Sequence, residues 1–128
     1  MNTQIVLFPS VARVTQGSVP SADIDNTEDY QSAIIVIDVT ADPASASVVF
    51  TVQGKDLLSG VYYPILVTSA VTATGTKILH VGDGTADINN ISVGTRLPRV
   101  WRIDAVHADT DSITYSIGAD LSSGPVPA

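Results

Sequence analysis

Hydrophobic and polar positions alternate along much of this chain with a period of two. That is the repeat of a strand whose side chains point in turn to either face of a sheet. In residues 46–53, Ala46, Val48, Phe50 and Val52 share one face, and Ser47, Val49, Thr51 and Gln53 share the other. Residues 99–107 put Trp101, Ile103 and Ala105 on one side and Arg102 and Asp104 opposite. Residues 112–118 turn Ile113, Tyr115 and Ile117 inward and Ser112, Thr114 and Ser116 outward. Segment 32–39 differs: Ala33–Ile37 is apolar throughout, which predicts a central strand covered on both sides. Further strands at 61–68 and 76–81 bring the core to six between residues 32 and 118. Pro64 lacks a donor N–H, so its strand belongs at an edge or carries a bulge. Turns are expected at 40–45, 82–84 and 108–111, a hairpin loop at 54–60 with Gly54 and Gly60 free to take positive φ, and a long irregular connection over 85–98.

The first fifteen residues hold an apolar run at 4–8, stopped by Pro9, and a possible second extended piece at 11–15, which add one or two strands to the six. Residues 16–31 show no core-forming period and read as a polar loop or an extended arm. The expected organisation is an N-terminal strand or extended arm over 1–31, a core over 32–121 and an extended Pro-rich tail over 122–128. No helical crossover separates the strands, and Glu28 is the only glutamate. The predicted fold is all-β: an antiparallel two-sheet β-sandwich of jelly-roll or Ig-like topology with an extended N-terminal arm. A small closed β-barrel is the alternative.

Composition agrees and narrows the function. Val, Ile and Thr make up a third of the 128 residues, and only 15% are charged, against roughly 25% in an ordinary soluble domain. Mean hydropathy is +0.29. So neutral a surface suits a protein covered by a partner. The net charge of −7 argues against nucleic acid, whose phosphates need a basic patch. Arg96, Arg99 and Arg102 leave one local basic spot. The longest apolar run falls far short of the roughly 20 residues that span a bilayer, and no secretory signal is visible. Cysteine is absent, which removes thiolate metal sites and cysteine nucleophiles.

Candidate chemistry is thin. His80 and His107 are the only histidines, too few for a three-His zinc site. No Gly-x-Ser-x-Gly elbow accompanies the many serines. Asp83 and Asp87 flank a glycine turn but lack the other ligands of a calcium loop. Asp23, Asp25, Glu28 and Asp29 form an acidic stretch read as a solvated loop or as an arm meeting a basic partner. Asn90-Ile-Ser92 matches a glycosylation sequon without a signal peptide to give it meaning. No metal, cofactor, catalytic residue or small-molecule substrate is expected.

Several segments are familiar together. Ser47-Val-Val-Phe-Thr-Val-Gln-Gly-Lys-Asp56, Ser59-Gly-Val-Tyr-Tyr63, Ala73-Thr-Gly-Thr76, Leu97-Pro-Arg-Val-Trp-Arg102 and Thr114-Tyr-Ser-Ile-Gly118 resemble a set of small β-rich proteins encoded among tailed-bacteriophage structural genes. The resemblance covers about residues 32–121. It implies a non-enzymatic virion component, made in the host cytoplasm, without settling which one; the low charge, the many β-branched residues and the N-terminal segment outside the core point to the capsid surface. The expected role is capsid decoration, or cement: binding major capsid protein subunits and copies of itself to stabilise the head. The alternative is a tail or tail-tip module that binds a host surface or glycan. Interface positions are expected at Ile5 and Leu7 on the N-terminal strand, at Lys55 and Tyr62 around the hairpin, and at Arg99 and Arg102 beside Trp101.

Overall fold

The computed structural model describes residues 2–123 and contains ten strands and no helix among them. The strands are β1 (Asn2–Arg13), β2 (Gly17–Pro20), β3 (Ile24–Asp25), β4 (Ser32–Ala41), β5 (Val48–Lys55), β6 (Tyr62–Val67), β7 (Gly75–Gly82), β8 (Ser92–Val93), β9 (Val100–His107) and β10 (Ile113–Ser122). They form two sheets, ordered β1-β10-β4-β7-β8 and β2-β9-β5-β6, with β3 also paired to β9. All pairings are antiparallel except the short β7–β8 contact. The chain is a β-sandwich, and neither sheet closes into the alternative barrel.

Alternation builds the core as the sequence predicts. Val48, Phe50 and Val52 of β5 and Trp101, Ile103 and Ala105 of β9 are fully buried. They face Ile35 and Ile37 of β4, Leu79 and Val81 of β7, and Ile113, Tyr115 and Ile117 of β10. The layers also touch through specific geometry. The Phe50 and Tyr115 rings meet edge to face at 5.1 Å, an arrangement favoured by the ring quadrupoles. The His107 Nε2 and Tyr115 hydroxyl are 3.0 Å apart. Pro64 finds both outlets open to it: β6 is the edge of its sheet, and its register with β5 shifts between Val52 and Gln53.

Three expectations need correction. The two N-terminal pieces are one strand, β1, paired along β10. Pro9 does not end it, because β1 is a sheet edge and its register shifts twice, between Val6 and Phe8 and between Phe8 and Val11. Residues 16–31, open between a polar loop and an extended arm, are extended in part but do not stand free: β2 and β3 pair with β9, and Asn26 and Tyr30 are buried there. The Asn26 side chain donates to the Tyr30 carbonyl at 2.7 Å and accepts from the Tyr30 N–H at 2.8 Å. Backbone hydrogen bonds rather than an apolar period hold this segment, so no periodicity betrays it. Lastly, Gly60 takes a positive φ of 77° but Gly54 does not; Gly54 lies inside β5. The tail expected at 122–128 begins as the last residue of β10, and its part beyond Ser123 lies outside the described residues.

Candidate functional site

Lys55, Tyr62 and Arg102, nominated from three separate motifs, converge on the outer face of the β2-β9-β5-β6 sheet. Register brings them together: Gln53 of β5 lies opposite Arg102 of β9, and Lys55 lies opposite Tyr62 of β6. The Arg102 guanidinium stacks 3.4 Å from the centre of the Tyr62 ring, and its Nε donates to the Gln53 side-chain oxygen at 2.8 Å. Lys55 Nζ sits 5.4 Å from the same ring centre. Asp23, from the segment between β2 and β3, closes the cluster. Its carboxylate accepts from the Tyr62 hydroxyl at 2.7 and 2.9 Å and pairs with Lys55 at 3.2 Å. The Tyr62 hydroxyl, with Lys55 beside it, holds the Asp23 carboxyl below its ordinary range, and Asp23 in turn raises Lys55.

Arg99 lies outside this cluster and pairs with Asp25 at 2.8 Å. Arg96 reaches Asp29 at 3.0 Å. The local basic spot and the acidic stretch therefore meet each other, across more than 60 residues of chain. Exposed ion pairs and cation–π stacks of this kind add little to stability, because water screens them and holding the side chains costs entropy. They set the position of residues 21–31 more than they stabilise the sandwich. Backbone bonds do the holding, as in Ser21 N–H to the Ile103 carbonyl at 2.7 Å and Asn26 N–H to the Arg99 carbonyl at 2.6 Å.

The hairpin beside the cluster explains its own residues. Asp56 accepts from the Leu58 N–H and the Ser59 hydroxyl, contacts that lower its carboxyl, and its carbonyl accepts from the Gly60 N–H at 2.7 Å. Gly54 is required by Tyr63, whose ring lies where a side chain would stand: an added Cβ would come within 2.5 Å of it. Gly54→Ala is expected to swing the half-exposed Tyr63 ring outward and cost about 1–2 kcal/mol, within the range for overpacked sites. In Gly54→Ala/Tyr63→Ala most of the Gly54→Ala penalty disappears. Chemical denaturation of the four proteins of this double-mutant cycle measures the coupling.

Ile5 and Leu7, the remaining nominated positions, are turned toward the core, Ile5 half-buried against it and Leu7 buried. What β1 presents outward is Gln4 and Val6, the latter 73% exposed. Val6 opens a feature that sequence reasoning missed. Register aligns Val6, Gly118, Val36 and Ile78 across β1, β10, β4 and β7. Val6, Val36 and Ile78 are exposed on the outer face of the sheet, and Ile34 stands beside them, half-buried. The apolar run at 33–37 was the signal. It predicts cover on both faces, and β4 is indeed central, but within the described residues no other element packs over its outer face.

The histidines are apart. His80 sits on that same outer face, while His107 is buried between the sheets on Tyr115. Among the described residues no three His, Asp or Glu side chains gather as a metal site requires. Asp87 instead accepts from the Gly94 N–H at 2.7 Å, and Asn90 donates to the Val67 carbonyl at 2.8 Å. No protein-family model, curated protein or solved structure matches this chain.

Proposed function

We propose that this chain is a non-enzymatic virion structural protein of a tailed bacteriophage, a decoration protein that binds major capsid subunits and stabilises the head. The observation that carries the reading is the joint occurrence of Gln53-Gly-Lys-Asp56, Ser59-Gly-Val-Tyr-Tyr63 and Leu97-Pro-Arg-Val-Trp-Arg102, the motifs on which the resemblance rests. Two features of the molecule support it. Most polar residues of those motifs are engaged within the chain, in the Asp23–Tyr62–Lys55–Arg102 cluster, the Arg99–Asp25 pair and the Asp56 turn, which suits a rigid module better than a reactive site. The opposite sheet carries an uncovered apolar row, and surfaces of that kind mark docking sites. Among the described residues its edge strand β1 has no neighbouring strand on one side, a place where a partner strand can add.

Stabilisation by such a protein is mechanical. Each copy that binds across a junction between shell subunits adds buried area that must be broken before the subunits separate. Quantitative mass spectrometry of purified particles tests the reading. Decoration requires copies of this chain comparable in number to the major capsid protein. A handful per particle, or none, overturns it, and a handful held on isolated tails points to the tail module instead.

A further inference from the structure

The outer face of the β1-β10-β4-β7-β8 sheet contains a glycine that the fold does not require. Gly118 lies inside β10, between β1 and β4. Its φ is not positive, and an added Cβ would meet nothing closer than the Ile5 carbonyl oxygen at 3.6 Å, an ordinary contact. A glycine inside a strand weakens it and often marks a place where another molecule approaches closely. Here the missing side chain opens a trough of about 470 Å³. Gly118 is its floor, Val6 and Val36 are its walls, and Gln4 and Asp120 stand at one end.

The width between the two valines fits one long side chain. Val6 and Val36 flank Gly118 on neighbouring strands, so their backbones are about 10 Å apart, twice the strand spacing. That leaves room for a single aliphatic stem between the two valines. Asp120 is two residues along β10, about 7 Å away, within reach of a flexible four-carbon stem that ends in a cation. Among the described residues no hydrogen bond or ion pair engages the Asp120 carboxylate. Lysine and arginine lay their stems on apolar surface and keep the charged head at a polar edge, which is the pattern this trough offers.

The charge distribution selects the partner. This face carries Asp38 and Asp120 and neither lysine nor arginine. A second copy has no cation free to give, since each of its six already has a contact that it would have to leave. Lys55, Arg96 and Arg99 are in ion pairs, Arg102 is on Gln53, Arg13 is on backbone carbonyls and Lys77 is on Ser69. We propose that the trough over Gly118 receives a lysine or arginine side chain from a different protein, its stem between Val6 and Val36 and its charge on Asp120. This deepens the decoration reading and rests on it only for the partner's identity, which would be a shell subunit.

A titration followed by 1H–15N NMR tests the trough without the shell. The probes are Nα-acetyl-lysine methylamide and its neutral counterpart Nα-acetyl-norleucine methylamide. The lysine probe is expected to shift the amides of Val6, Val36, Gly118 and Asp120, and to bind about tenfold more tightly than the norleucine probe. Asp120→Asn erases that preference. Gly118→Val stays folded, with an unchanged or higher Tm, and loses the response. Equal binding of the two probes, shifts centred elsewhere, or a response that survives in Gly118→Val overturns the inference. Co-sedimentation with undecorated shells separates it from the reading beneath it. Wild-type attachment that Gly118→Val retains overturns the trough alone. A trough that answers the lysine probe on a protein no shell retains overturns decoration alone.

Discussion

Replacing Trp101 with alanine is expected to cost about 3–5 kcal/mol, the range for deleting a large buried ring. Folded domains of this kind are stable by only about 5–15 kcal/mol, so the variant sits near the edge of unfolding. Trp101 is fully buried in β9, which carries β5 on one side and β2 and β3 on the other. Its removal loosens the anchor strand of the whole sheet. Trp101→Phe loses less, for two reasons. A phenyl ring keeps much of the apolar fill, and the change deletes an indole N–H that is buried without a hydrogen-bond partner, so no bond is broken. Urea denaturation at a common slope gives both values. A Trp101→Phe loss as large as that of Trp101→Ala would mean that the indole N–H is satisfied in a way this packing does not show.

The second large effect follows pH and passes through the hydrogen bond between the His107 side chain and Tyr115, the only one that side chain makes among the described residues. Burial, and then the Arg13 guanidinium, hold the His107 imidazole below its ordinary 6.5, while Asp109 pulls weakly the other way. The unfolded chain takes up this proton more readily than the folded one. The stability tied to His107 is therefore complete above pH 6.5 and is lost as the pH falls through the folded-state value. Tyr115 behaves oppositely. Burial pushes its hydroxyl from 10.0 up to about 12, with Arg13 opposing and Asp104 reinforcing the shift. Its contribution is complete below pH 10 and is lost as the pH rises through about 12, a change of roughly 2–3 kcal/mol. Unfolding free energy plotted against pH should show a plateau with a shoulder at each end. Tyr115→Phe removes the alkaline shoulder and, by stranding His107, costs about 1–3 kcal/mol at neutral pH. An alkaline limb unchanged in Tyr115→Phe would place the titrating group elsewhere.

The fold was legible wherever burial alternates. Phe50, Trp101, Ile103, Tyr115 and Ile117 could be assigned to the core because each recurs at every second position on a strand covered on one face. Pro64 likewise carried its own answer, since a residue without an N–H has few places in a sheet. What escaped was held by something other than periodicity. Gly17–Pro20 and Ile24–Asp25 are strands because β9 offers their backbones hydrogen bonds, and Val19 and Ile24 alone are too sparse a signal. Asp23 lies 32 residues from Lys55, so the composition of the acidic stretch could suggest a basic partner but not that the partner was the chain's own hairpin. Gly54 looked like a turn glycine; only the ring of Tyr63 over it shows that it is a strand glycine kept bare. The outer apolar row was legible in Ile34 and Val36 as a demand for cover, and the sequence could not say that no other element among the described residues supplies it.

That uncovered face joins the proposed role to the molecule, and a cryo-EM map of the intact particle tests the connection most directly. The expected result is density for this sandwich repeated over the outside of the head. The β1-β10-β4-β7 face should point toward the shell, and a basic side chain of a capsid subunit should lie over Gly118. Density confined to the tail, or a shell without this sandwich, would contradict it.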